Sequence, residues 1–136
     1  MVSPSIDVVA CRASLRLRCQ QQERAREEVR QQVLQAARWA ASTVLPHHAG
    51  VRRAFVFGSV LRSGGVRAPG DVDLALECEL GADGYFAVWR DLERALAPWP
   101  LHVVELREDE PFSLRVRNAG ELVYERRHGP TPPPEG

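Results

Sequence analysis

The run Ala54-Phe-Val-Phe57 constrains this chain most, because of the residues that come after it. Four apolar residues end on Gly58-Ser59, and a loop holding Gly64, Gly65, Pro69 and Gly70 leads to Asp71-Val-Asp73-Leu-Ala-Leu76. An apolar run, a glycine turn and a second alternating run read as strand, turn and strand. Glycine lets the backbone turn sharply and brings N–H groups close to whatever lies above it. Residues two apart on a strand share a face, so Asp71 and Asp73 project side by side while Val72, Leu74 and Leu76 point into a core.

Two carboxylates on one face repel each other and raise each other's pKa unless a cation sits between them. Mg²⁺ suits such a pair, since it takes one or two carboxylates and completes its shell with water and phosphate oxygens. A Gly-Ser turn beside the pair offers backbone N–H groups to phosphate. The combination reads as a site for a metal–triphosphate complex. Asp-x-Asp by itself is also common as solvated chemistry at strand ends; the neighbouring turn is what shifts the reading.

Gly58-Ser59, eleven residues and then Asp71-Val-Asp73 resembles the signature of the polymerase-β-type nucleotidyltransferase superfamily, and the small size resembles its minimal branch. The resemblance spans about 51–126, and Arg62 falls where that branch usually carries an arginine. It implies a Mg²⁺-dependent nucleotidyltransferase that uses a nucleoside triphosphate, with ATP expected. It further implies AMP transfer to a protein hydroxyl and a role as antitoxin to a small helical HEPN-type toxin. On this reading Gly58, Ser59 and Arg62 bind phosphate, and Asp71 and Asp73 hold the metal and carry catalysis.

The pattern breaks on a later strand. Where the resembled family usually has a third carboxylate, this chain reads Leu101-His-Val-Val-Glu105-Leu106, with His102 in that place. By alternation only one of His102 and Glu105 faces the aspartates. Alignment by motif favours His102; a register slip or bulge would substitute Glu105. Neutral imidazole can act as a base near pH 7 but is a poor Mg²⁺ ligand. His102 is therefore a candidate catalytic base or a relic. The alternative function is an inactive or weakened nucleotidyltransferase-fold antitoxin that neutralises its toxin by binding alone. A weaker third reading is a nucleotide sensor or assembly subunit.

The rest of the chain supplies the scaffold. Its 136 residues fit one domain, and 44% hydrophobic content is enough for a core. Val29, Val33, Leu34, Ala37, Ala40, Ala41 and Val44 make a helical stripe within 15–45, closed by Pro46. Glutamates and arginines interleave on the other side, as on a wet helix face. The N-terminal part of this helix is longer than a small sheet needs and suits contact with a partner, or pairing into a homodimer.

A second helix is expected over 83–96, with Asp83 as N-cap and Phe86 and Trp89 turned to the core. His47 and His48 read as loop residues, and Arg67 as a weaker phosphate candidate than Arg62. A short helix over 111–118, with Phe112, Leu114 and Val116 partly buried, and a strand over 121–125 complete the domain.

The expected fold is α/β in the broad sense (α+β). A small mixed sheet of 53–57, 71–77 and 101–106 is covered by helices, as in the polymerase-β-like nucleotidyltransferase fold. The domain runs over 14–126. Residues 1–13 form an arm open to three readings: a frayed end, a short edge strand, or residues upstream of the natural start. Residues 127–136, rich in proline, are expected to be a disordered tail.

Eighteen basic residues, all arginine, cancel eighteen acidic ones, so no global field favours nucleic acid or an anionic membrane. No apolar span is long enough for a membrane helix and no signal peptide is evident. Cys11, Cys19 and Cys78 have no metal-binding spacing, which suits reduced thiols and a cytoplasmic setting.

Overall fold

A computed structural model describes residues 8–62 and 71–127. It shows α1 (Val8–Val44), β1 (Val51–Phe57), β2 (Val72–Cys78), α2 (Ala82–Leu96), β3 (Leu101–Glu105), α3 (Pro111–Ala119) and β4 (Glu121–Glu125). Single 3-10 turns at Leu45–His47 and Ser59–Leu61 flank β1. The architecture is α+β. Its sheet runs in the order β3-β2-β1-β4; β1 is antiparallel to both β2 and β4, and β2 is parallel to β3 with α2 as the crossover.

The two faces of the sheet differ. The stripe Val33, Ala37, Ala40 and Ala41 of α1 is fully buried against Ala54 and Val56 of β1 and Val72, Leu74 and Leu76 of β2. Val88, Leu92 and Leu96 of α2 close the same core. Burying a Val or Leu side chain contributes about 1.5–3 kcal/mol, so this side dominates stability. The opposite face holds a smaller cluster of Phe55, Ala75, Leu106 and Val116, covered by α3. Gly120 permits that cover. A Cβ there would lie 2.5 Å from the Val116 carbonyl oxygen and 3.0 Å from that of Val56.

Several expectations shift. Residues 8–13, expected as part of an arm, are helical and continuous with the rest of α1. No glycine or proline interrupts residues 5–45. Strong helix formers therefore carry α1 through residues 8–26, all exposed, without a core to pack on. The N-cap of α2 is Gly81, without a side-chain cap; Asp83 lies in the first turn, where its charge suits the helix dipole. Leu114 is exposed. His48 hydrogen-bonds Asp91 at 2.9 Å and ties the α1–β1 connection to α2. Residues 1–7, the loop carrying Arg67, and 128–136 lie outside the described residues. Near the end of the described residues, the Arg126 backbone N–H donates to Arg52 O and its side chain donates to Val51 O and His48 O. Among the described residues no helix is long and apolar enough to cross a membrane.

Candidate functional site

Three strands place one residue each in a row across the sheet. Phe57 at the end of β1 pairs with Asp73 near the start of β2, and Asp73 pairs with His102 on β3. Paired residues on neighbouring strands present side chains to the same face. Here it is the face that α3 partly covers. The same register pairs Leu76 with Glu105, which puts Glu105 on the opposite face with Leu101 and Val103. His102, not Glu105, therefore stands beside the aspartates. Its Nε2 lies 3.7 Å from Asp71 Oδ2.

Gly58 closes the row from the β1 side with φ 85° and ψ −155°, a conformation that disfavours other residues. A Cβ at this position would sit 2.5 Å from Asp73 Oδ2, so a side chain here would displace the carboxylate from the turn. The turn then closes through Leu61 N–H to Gly58 O and Arg62 N–H to Ser59 O. Val60 is buried and pins it, while Ser59 and Arg62 stay exposed.

The electrostatics favour a cationic ligand. Burial raises the pKa of the Asp73 carboxyl, nearby His102 pulls it back, and the Asp71 charge pushes it up again. Among the described residues no arginine forms an ion pair with Asp71 or Asp73. Two carboxylates and one imidazole do not make a closed metal site, and no group of three or more His, Cys, Asp or Glu among the described residues is arranged as one. Two acidic oxygen donors do suit a hard cation that draws its remaining ligands from water and a substrate.

Two clefts flank the row. One, of about 490 Å³, lies between the Gly58 turn and α3 and is lined by Phe57, Gly58, Arg62, Phe112, Arg115 and Gly120. Phe57 and Phe112 meet edge to face with centroids 5.4 Å apart. The other, of about 240 Å³, lies between α2 and β3 beside His102, with Tyr85, Phe86 and Trp89 as its wall. Phe86 and Trp89 are 58% and 38% exposed, so they are not core residues as their helical spacing suggests.

The structure thus brings together Gly58, Asp71, Asp73 and His102; Ser59 follows on the exposed turn, and Arg62 lines the cleft beside it. Sequence reasoning missed Phe112 and Arg115. Their three-residue spacing on α3 puts them on one side, but the sequence does not say which part of the sheet α3 covers. No protein-family model matches the chain, and no curated protein matches it.

Proposed function

We propose that this protein is a nucleotidyltransferase that transfers AMP from ATP to a hydroxyl of a partner protein. One observation carries the reading: two carboxylates, unpaired by arginine among the described residues, stand together, and one of them, Asp73, lies against the glycine turn. The adjoining cleft adds Arg62 and Arg115 for phosphate charge and a Phe57–Phe112 wall for an apolar ring. Supporting it from the sequence is the resemblance of Gly58-Ser59 and Asp71-Val-Asp73 to the polymerase-β-type signature.

In this reading Gly58 and Ser59 hold the β- and γ-phosphates through backbone N–H groups and the Ser59 hydroxyl. Asp71 and Asp73 would hold Mg²⁺, which when bound offsets the negative charge that develops on the phosphates. His102 takes the proton of the attacking hydroxyl at Nε2. A bond forms between that oxygen and the α-phosphorus, the α–β bridging bond breaks, and pyrophosphate leaves. The resemblance makes a small helical HEPN-type toxin in the cytoplasm the acceptor class, with this chain as antitoxin.

The second reading, an antitoxin that acts by contact alone, is favoured by one observation: an imidazole stands in the row where the resembled family has a third carboxylate. Calorimetric titration of Mg²⁺–ATP separates the two. Wild type is expected to bind in a Mg²⁺-dependent way, and Asp71→Asn/Asp73→Asn to lose at least 100-fold, about 2.8 kcal/mol. If wild type shows no binding at millimolar nucleotide, transfer is ruled out and the contact reading stands.

A further inference from the structure

Residues 8–26 of α1 are exposed along their whole length, yet they are not uniformly polar. At 100° per residue, Val8, Leu15 and Cys19 fall within roughly 40° of the direction of Val33 and Ala37. Past Gln22 and Arg26, which interrupt that side of α1, apolar residues thus recur beyond the domain, where Val8, Leu15 and Cys19 are exposed. Leu15 is 59% exposed and Val8 55%.

These residues project from a particular end. Arg30 Nη1 donates to Val60 O at 3.1 Å, which marks where α1 passes the Gly58 turn. The other end of the helix reaches Leu45, near the start of β1. Nineteen residues N-terminal to Glu27 extend about 28 Å beyond the end of the sheet that carries Asp71, Asp73 and His102. A body resting on those residues lies over that end.

Charge selects the body. Arg12, Arg16, Arg18, Arg24 and Arg26 stand against Glu23 alone, a net +4 in a chain whose total is zero. A second copy presents the same +4 to this one and is repelled. An apolar seam with acidic flanks is the complement.

We propose that residues 8–26 form a docking arm for a partner protein whose apolar groove or helix is bordered by acidic side chains, held so that the partner covers the Asp71–Asp73–His102 end. Docking stands on the arm alone; only the partner's role as acceptor rests on the proposed transfer.

Fluorescence anisotropy with the full chain tests it, using three synthetic 21-residue peptides. One is a helix with a leucine seam and glutamate flanks, one has the same seam with lysine flanks, and one scrambles the first. The glutamate-flanked helix is expected to bind at least tenfold tighter than the others. Leu15→Glu, and separately Arg12→Glu/Arg16→Glu/Arg18→Glu, should each weaken it at least tenfold, and raised salt should weaken it too. Asp71→Asn/Asp73→Asn should leave it unchanged, so a failed arm and a failed nucleotide site are read independently. Equal binding of the scrambled or lysine-flanked peptide overturns the proposal, as does indifference to Leu15→Glu. So does a dimer in sedimentation that Leu15→Glu dissolves, which would make the occupant a second copy. Arm-dependent capture by phosphatidylserine vesicles without peptide binding would make it a membrane, and also overturns the proposal.

Discussion

Asp73 and Glu77 lie four residues apart on one face of β2 and meet opposite surroundings. Glu77 is 5% exposed and accepts hydrogen bonds from Arg53 Nε and Arg117 Nε, each at 2.7 Å. Burial raises its pKa, but the two guanidinium bonds outweigh that and the net shift is downward. Asp73 is held between His102 and the Gly58 turn without an arginine partner among the described residues, and its net shift is upward. A buried carboxylate whose charge two guanidinium groups already balance contributes to structure and has little charge left to offer a ligand. One held near another carboxylate and left without a cation costs stability, and it persists where a ligand supplies the charge.

The largest expected effect is the loss of nucleotide binding in Asp71→Asn/Asp73→Asn. Next is Glu77→Ala. It strands two guanidinium groups, and since both reach solvent the loss should be about 2–3 kcal/mol, below the usual cost of breaking a fully buried pair. Urea unfolding measures it, and nucleotide binding should survive. Gly58→Ala combines strain at positive φ with a clash at Asp73. About 1–3 kcal/mol of stability should go, together with Mg²⁺–ATP affinity; unchanged affinity would detach the turn from the site.

A smaller effect is the pH response of Glu77. A depressed folded pKa contributes stability that is present above the unfolded value, 4.5, and is lost as pH falls through the folded one. Unfolding midpoints from about pH 5 down to pH 3 should therefore drop less steeply in Glu77→Gln than in wild type. Smallest is Asp73→Asn at pH 7 without ligand. Removing a charge that burial disfavours should leave the melting temperature unchanged or slightly higher, whereas a clear loss would mean that Asp73 is structural after all.

The legible parts of the fold were those with a short repeat. The stripe of α1, the alternation of Asp71 to Leu76 and the glycine turn between strands each depend on neighbours within a few residues. The candidate row was legible from the β1–β2 side for the same reason. His102 was legible only as one of two options, because choosing between it and Glu105 needs the β2–β3 register, which two distant segments set together. Phe86 and Trp89 misled. Their helical spacing matches a core stripe, but the sheet ends at β3 and leaves that flank of α2 uncovered. Glu77 and its two arginines come from three elements, and no local pattern announces them.

Tyr85 has a consequence for how this molecule meets others of its kind. Val72 N–H bonds Pro100 O and Leu106 N–H bonds Leu76 O, so the even-numbered residues of β3 face β2 and the odd-numbered ones face outward. An outward row of peptide groups is a template on which a foreign strand can grow. The Tyr85 hydroxyl donates to Val103 O at 2.9 Å, at the middle of that row. An incoming strand would have to displace a phenol anchored on a packed helix before it could pair through the centre of the edge. One side chain thus blunts a route to fibrous aggregation that the strand order would otherwise leave open.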